Sequence, residues 1–114
     1  MSGITTHVLD TSAGRPAAGV TVKLEVRKAE RGWVTLAERT TDADGRARDL
    51  VADGSKLDAG IYRLTFGTGA YFGAKGQSTF FPEASVVFEV RDPAQHYHVP
   101  LLLSPFGYST YRGS

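Results

Sequence analysis

The stretch 20-VTVKLEVR-27 decides the fold class, because its apolar and polar side chains alternate without interruption. Val20, Val22, Leu24 and Val26 fall on one side of an extended chain, and the polar residues between them fall on the other. An amphipathic helix would instead need apolar positions three or four residues apart. The stretch therefore predicts a β-strand with one buried face.

The same alternation recurs along the chain, with turn-forming residues between the repeats. In the segment 33–39, Val34 and Leu36 form the predicted inward-facing pair. Further strands are predicted at 61–66 (IYRLTF) and 85–90 (SVVFEV), and turns at 11–16 (TSAGRP), 41–45 (TDADG), 51–60 (VADGSKLDAG) and 91–95 (RDPAQ). About seven or eight short strands at this spacing predict an all-β sandwich. The segment 69–76 lacks alternation and has glycine at both ends, which predicts a short helix.

Composition limits the protein class. The 114 residues carry 13 basic and 12 acidic side chains and no cysteine. Scattered basic residues do not favour a nucleic-acid partner, and no apolar run approaches the ~20 residues of a membrane span. The opening residues MSGITTHVLD lack the features of a signal peptide. We therefore expect a single domain over residues 1–114, in the cytoplasm, with no nucleic-acid or membrane partner.

The last predicted strand, 96–103 (HYHVPLLL), has two dissimilar faces. Alternation assigns Tyr97, Val99, Leu101 and Leu103 to the core. The opposite face of this strand carries His96, His98, Pro100 and Leu102. On a returning strand predicted at 108–112 and a first strand predicted at 3–10 (GITTHVLD), the corresponding faces carry Ser109, Tyr111, His7 and Leu9. An outer face that mixes histidine with aliphatic side chains predicts coverage by another subunit. It therefore predicts an oligomer with a cleft at the interface.

Simpler interpretations of these residues remain open from the pattern alone. A single histidine on a strand is usually structural, and Arg46 after the Asp44-Gly45 turn would ordinarily be a solvated charge. The His96–His98 pair with His7 could alternatively bind zinc, although no nearby carboxylate completes such a site. No phosphate-binding glycine motif and no GxSxG motif is present. The residues alone predict an oligomeric sandwich with a candidate histidine-containing interface site.

Several motifs together carry a resemblance to a known family. The pieces THVLD-x-x-x-GRPA, T-x-x-DGR, GIYRL-x-F, FFPE and HYHVPLLLSP-x-x-YSTYRGS span nearly the whole chain. They resemble the 5-hydroxyisourate hydrolases of the transthyretin-related protein family, and the final YRGS is the most specific element. The resemblance implies a transthyretin-like (prealbumin-like) sandwich of two four-stranded antiparallel sheets with one short helix. It also implies a homotetramer with its sites in a channel at the dimer–dimer interface.

The resemblance also implies roles for individual residues. The implied catalytic residues are His7, Arg46, His98 and Ser114, the implied substrate-binding residues are His7, Arg46 and Tyr111, and the implied channel-lining residues are Leu9, Pro100, Leu102 and Ser109. His98 is expected to activate water and His7 to position it or deliver a proton, although these roles could be exchanged. Ser114 would act through its hydroxyl or a terminal carboxylate. No metal or cofactor is expected.

The implied reaction opens the cyclic amide of 5-hydroxyisourate to give 2-oxo-4-hydroxy-4-carboxy-5-ureidoimidazoline. Two other classes compete with this enzyme. One is a transthyretin-like carrier that binds a small aromatic ligand in the same channel. The other is a structural or adhesion sandwich without a small-molecule site.

Overall fold

The computed structural model describes residues 3–51 and 57–114, which form two packed β-sheets and one short helix. The elements in chain order are β1 (Gly3–Asp10), β2 (Arg15–Pro16), β3 (Thr21–Lys28), β4 (Gly32–Thr40), β5 (Arg46–Ala47), β6 (Gly60–Phe66), α1 (Thr68–Ala74), β7 (Ala84–Val90), β8 (His96–Ser104) and β9 (Gly107–Thr110). The predicted turn at 51–60 lies largely outside the described residues. The predicted all-β class with a short helix is confirmed.

The strand order corrects one detail of the expected architecture. One sheet has the order β4-β3-β6-β7 and is antiparallel throughout. The other has the order β2-β1-β8-β9, and β5 also pairs with β1, which makes five strands instead of four. Within it β1 runs parallel to β8. Alternation along a strand does not specify the direction of its partner, and two-residue strands are too short to produce a detectable pattern.

The core lies between the two sheets and consists of the inward-facing residues that alternation predicts. In β3, Val22 and Leu24 are at most 1% exposed, and in β8, Leu101 is fully buried. The largest fully buried apolar side chains are Phe66, Phe72, Ile4, Leu24, Leu50, Leu64 and Leu101. Burial of such side chains contributes roughly 1.5–3 kcal/mol each. The predicted core face of the terminal strand is therefore confirmed, and its opposite face points away from the core.

A β-bulge overturns one prediction in β4. Leu36 was expected to face inward with Val34, but it is 50% exposed, and Ala37 is buried instead. Glu25 pairs with Thr35 and Leu24 with Ala37, so Leu36 has no partner in the ladder. The extra residue reverses the alternation from that point onward. Alternation alone cannot reveal an inserted residue of this kind.

The helix α1 begins one residue earlier and ends two residues earlier than the predicted segment 69–76. It spans seven residues and buries Phe72 against the core. Within the described ranges, no helix has the length and apolar character needed to cross a lipid bilayer.

A buried carboxylate fastens the end of β1 to α1. Asp10 accepts hydrogen bonds from the Ser12 hydroxyl (2.6 Å), the Ser12 and Ala13 amides, the Tyr71 hydroxyl (2.8 Å) and the Lys75 ammonium (3.3 Å). Burial alone would raise the pKa of Asp10, but these hydrogen bonds outweigh it and lower the pKa from 3.8 to about 2. The charged form of Asp10 therefore stabilises the fold.

Replacing Asp10 with alanine is expected to lower the free energy of unfolding by about 2–3 kcal/mol at pH 7, because the hydrogen bonds to a charged acceptor are lost. The folded-state pKa is depressed, so this contribution is present above pH 4 and declines as the pH falls towards 2. Urea denaturation at pH 7 and at pH 3 measures it. Asp44→Ala, at an exposed turn position, is the matched control. An equal loss for Asp10→Ala at both pH values would contradict this account.

Candidate active site

The register of the five-stranded sheet gathers the predicted site residues on its outer face. His7 of β1 pairs with Arg46 of β5 on one side and with Pro100 of β8 on the other. In the adjoining row, Thr5 of β1 pairs with His98. Side chains two residues apart on one strand share a face, so His7 and Thr5 point the same way. Arg46, His7 and His98 therefore lie on one continuous surface.

An apolar row continues this surface on the far side of His7. Leu9 pairs with Leu102, and Leu102 pairs with Ser109 of β9. Both leucines are half-buried in the single chain, whereas Ser109 is exposed. Three of the four predicted channel-lining residues, Leu9, Leu102 and Ser109, thus form a row beside the polar one, and the fourth, Pro100, lies next to His7.

A tight turn places Arg46 next to His7. One carboxylate oxygen of Asp42 accepts hydrogen bonds from the Asp44 amide (2.9 Å) and the Arg46 amide (3.0 Å). Gly45 has φ +76°, and a Cβ at this position would collide with the Val8 carbonyl oxygen. Only glycine combines that backbone conformation with so close an approach to β1. The glycine of the DGR motif is therefore a structural requirement for the position of the arginine.

His98 is held from three directions. Its Nδ1 lies 2.8 Å from the Thr5 hydroxyl oxygen, and the same oxygen lies 2.9 Å from Nε2 of His96. On the other side, the Gly113 amide donates to the His98 carbonyl at 2.8 Å. A Cβ on Gly113 would lie 2.6 Å from Cδ2 of His98, so the ring packs directly against the glycine backbone. These contacts fix the orientation of the imidazole.

The surroundings of His98 favour its neutral form. Burial, followed by the positive charge of Arg46 and by the neighbouring His7 and His96, lowers the pKa of His98 below its ordinary value of 6.5. A neutral imidazole can accept a proton. The structure therefore places a base beside a fixed positive charge.

The last strand, β9, ends just before the position that lies opposite Pro100 of β8. Gly113 pairs with His98, so by antiparallel register Tyr111 lies opposite Pro100. Proline has no N–H to donate to the ladder, and β9 ends at Thr110, one residue earlier. Tyr111 is 57% exposed. Ser114 follows the paired Gly113 and is also exposed.

Of three cavities in the single chain, one includes part of this surface. One of about 220 Å³ lies between β7 and the segment after β9 and is lined by His98 and Tyr111. A groove of about 470 Å³ lies over the outer face of the other sheet, and one of about 350 Å³ lies beside α1. Neither His7 nor Arg46 lines any of these three. Both residues are half-buried in the single chain.

Comparison with known proteins identifies the family. The sequence profile described as the HIUase/Transthyretin family matches residues 4–113. The chain belongs to the HIUase/Transthyretin family. A 5-hydroxyisourate hydrolase from Caulobacter vibrioides is 53% identical over 119 aligned residues, covering all of both chains. The resemblance seen in the sequence motifs is thereby confirmed.

Similar solved structures include both a 5-hydroxyisourate hydrolase and a transthyretin. Klebsiella pneumoniae 5-hydroxyisourate hydrolase is 43% identical, with full coverage of both chains and a TM-score of 0.87. Sea bream transthyretin, solved in complex with thyroxine, is 36% identical, with coverage of 96% of this chain and 93% of its own and a TM-score of 0.89. The backbone alone therefore does not separate the two activities of the HIUase/Transthyretin family, and the side chains must do so.

The structure brings together most of the residues that the family resemblance implied. His7, Arg46 and His98 share one face, and Pro100, Leu9, Leu102 and Ser109 adjoin them. Tyr111 and Ser114 lie at the rim of this face, in the exposed segment after β9. The participation of all these residues in a site stays a prediction.

Two residues that position this surface were missed by the sequence reasoning. Asp42 stabilises the turn that carries Arg46. The sequence signal for it was the spacing of Asp42 from Asp44 and Gly45, which is typical of turns stabilised by an aspartate side chain. Thr5 contacts two histidines, but its importance depends on the pairing of β1 with β8, which no local pattern reveals.

The described residues give no geometric support to the alternative zinc site. Within residues 3–51 and 57–114, no three histidine, aspartate or glutamate side chains are arranged to bind a metal ion together. Instead, ring nitrogens of His96 and His98 both lie within hydrogen-bonding distance of Thr5.

Proposed function

We propose that this member of the HIUase/Transthyretin family is a 5-hydroxyisourate hydrolase, which opens a cyclic amide of its substrate with water. The observation that carries the proposal is the position of His98, a neutral and half-buried base, on the same face as His7 and Arg46. The relatives from Caulobacter vibrioides and Klebsiella pneumoniae that bear this name support it.

The first chemical step assigned to the site is activation of water. His98 accepts a proton from water through its free ring nitrogen as the oxygen attacks the amide carbonyl carbon. Its lowered pKa keeps it unprotonated at neutral pH. The attack converts the carbonyl into a tetrahedral centre whose oxygen carries the negative charge.

Arg46 stabilises the negative charge that the attack creates, and His7 can supply a proton to the departing nitrogen. The guanidinium of Arg46 is planar and permanently charged, so it stabilises the developing oxyanion and a urate-like anionic ring. The carbon–nitrogen bond then breaks, and the departing nitrogen takes a proton from His7 or from protonated His98. The products are a carboxylate, an N–H group and one proton released to the solvent, so one water is consumed and no electrons are transferred.

Tyr111 and Ser114 complete the proposed site from the chain segment after β9. The exposed ring of Tyr111 offers a flat surface for a planar substrate and a hydroxyl for hydrogen bonding. Ser114 contributes a hydroxyl that orients the water or a histidine.

We also propose that the functional assembly is a homotetramer with its sites at the dimer–dimer interface. In the single chain, His7 and Arg46 are only half-buried, whereas hydrolysis of an amide benefits from a site closed to bulk water. The half-buried Leu9 and Leu102 beside them offer apolar surface to a second copy. Sedimentation velocity gives the assembly state, and a strictly monomeric protein would remove this proposal.

A direct assay tests the activity. Urate oxidase generates 5-hydroxyisourate in the cuvette, and its ultraviolet signal is followed with and without the purified protein. We expect the signal to decay faster in proportion to protein concentration. A decay that stays at the spontaneous rate would overturn the enzyme assignment.

The second candidate function is that of a carrier for a small aromatic ligand. The observation that favours it is the TM-score of 0.89 to sea bream transthyretin, which was solved with thyroxine. A carrier, however, does not need a base, a second histidine and an arginine on one face. Thyroxine binding measured by calorimetry, without any hydrolysis, would favour the carrier.

Alanine at position 113 is expected to lower kcat/KM by up to about a hundredfold, because an ångström-scale displacement of a reacting group has that effect. The new Cβ would lie 2.6 Å from Cδ2 of His98, so either the ring or the terminal segment must move. Gly107→Ala, whose Cβ would meet only the Ser104 hydroxyl at 3.7 Å, is the matched control. Equal activity of the two variants would show that the contact with His98 is unimportant.

A further inference from the structure

The hydroxyl of Thr5 lies between two imidazole rings on the outer face of the five-stranded sheet. Its oxygen is 2.8 Å from Nδ1 of His98 and 2.9 Å from Nε2 of His96. Both distances are those of good hydrogen bonds. Thr5 is half-buried, His96 is exposed, and His98 is half-buried. The three residues thus form a short chain that leads from solvent to the proposed base.

A hydroxyl group carries a single proton, so the two hydrogen bonds cannot be donated together. In one arrangement the Thr5 hydroxyl donates a hydrogen bond to Nε2 of His96 and accepts one from the N–H at Nδ1 of His98. In the other, Thr5 donates to Nδ1 of His98 and accepts from Nε2 of His96. The first arrangement leaves Nε2 of His98 with a free lone pair, and the second places a proton there.

We propose that Thr5 is a positioning residue that holds His98 in the Nδ1–H form, with Nε2 as the proton-accepting atom. This inference rests on the proposed function, because a base that activates water needs the free lone pair. In this arrangement Nε2 of His96 accepts the hydrogen bond from the Thr5 hydroxyl and so decides which way the hydroxyl points. His96 therefore acts on His98 through Thr5 without touching the substrate.

The backbone fixes this arrangement. Thr5 and His98 are directly paired in the parallel ladder, and Gly3 pairs with His96 one row away. The ring of His98 is also packed against Gly113 on its Cδ2 side, which limits tilting of the ring away from Thr5, and a flipped ring would lose the hydrogen bond to the Thr5 hydroxyl. A threonine on a strand has few accessible rotamers, so its hydroxyl is held in place at low entropic cost.

The tautomer of His98 can be measured without substrate. In protein labelled with ¹⁵N-histidine, long-range ¹H–¹⁵N correlation spectra distinguish the two ring nitrogens, because Nε2 couples strongly to both ring protons. We expect Nδ1 of His98 to be protonated and Nε2 to be unprotonated near neutral pH. Signals are assigned with the His98→Asn protein, since the chain has only three histidines.

Removing the Thr5 hydroxyl is expected to change that tautomer. In Thr5→Val the shape of the side chain is kept but both hydrogen bonds are lost, so His98 should shift towards the Nε2–H form that neutral imidazole favours in water. Thr5→Ser, which keeps the hydroxyl, should retain the Nδ1–H form. Thr65→Val is the matched control, because Thr65 is also a half-buried strand residue with a hydroxyl contact, on the other sheet.

Activity gives a second readout. Thr5→Val should lower kcat by about 10–100-fold with little change in KM, as expected when a group that orients a reactive histidine is removed. Thr5→Ser should restore most of kcat, and Thr65→Val should leave it unchanged.

The outcomes separate this inference from the proposed function. If the protein hydrolyses 5-hydroxyisourate but Thr5→Val leaves the tautomer of His98 unaltered, the positioning role is wrong and the enzyme assignment stands. A wild-type spectrum with the proton on Nε2 would also overturn the role. If the tautomer shifts as expected but the protein has no hydrolase activity, the proposed function fails while the hydrogen-bonding role of Thr5 is supported.

Discussion

Asparagine in place of His98 is expected to lower kcat/KM by about 10²–10⁴-fold, the contribution usual for a general base. Asparagine keeps a polar side chain of similar reach, but it cannot take a proton from water. Neither the half-buried position nor the pairing with Thr5 requires an imidazole, so the variant should remain folded. Steady-state assays with enzymatically generated substrate measure the change.

The control for His98→Asn introduces asparagine at another half-buried strand position, outside the proposed site. Lys23 is half-buried on a strand of the other sheet, away from the proposed site. Lys23→Asn should therefore have wild-type activity. Circular dichroism and sedimentation velocity of both variants exclude loss of fold or assembly. Unaltered turnover in a folded His98→Asn protein would remove His98 from the mechanism.

Glutamine in place of Arg46 is expected to lower kcat by about 10²–10³-fold, because a charged donor to the oxyanion is lost. It should also move the acid limb of the pH profile. In the wild-type protein that limb is expected at lower pH than for an ordinary histidine, since burial and the charge of Arg46 lower the pKa of His98. Removal of the charge raises this pKa, so the limb in Arg46→Gln should shift to higher pH.

Arg46→Lys separates the two effects of the arginine. Lysine keeps the positive charge, so the acid limb should stay near its wild-type position. It lacks the planar pair of donors, so the rate should still fall. An acid limb at the same pH in the wild-type, glutamine and lysine proteins would mean that Arg46 does not influence the titrating base.

Local patterns in the sequence were sufficient for the faces of the strands. Alternation in 96–103 assigned Tyr97 and Leu101 to the core and His98 to the opposite face, and the structure agrees. The same rule put His7 opposite Val8, which is fully buried. Side-chain direction follows from the geometry of an extended chain, so it needs no knowledge of the neighbouring strands.

Properties that depend on how the strands pair could not be predicted from local sequence patterns. The inward position of Leu36 was predicted wrongly because a bulge opposite Leu24 and Glu25 inserts one residue. The parallel pairing of β1 with β8 was also missed, and with it the contact between Thr5 and His98. The family resemblance identified His7, Arg46 and His98, but the way they are held depends on these long-range pairings.

The parallel pairing of β1 with β8 also has a kinetic consequence. Thr5 and His98 are in contact although 93 residues separate them in the chain. Contacts of such large sequence separation form slowly, because the entropy of closing a long loop is lost before the contact is gained. During synthesis, His7 and Arg46 leave the ribosome long before β8 does. The surface that carries His7, Arg46 and His98 can therefore assemble only after β8 has emerged, and turnover at the proposed site would report that the whole sandwich has folded.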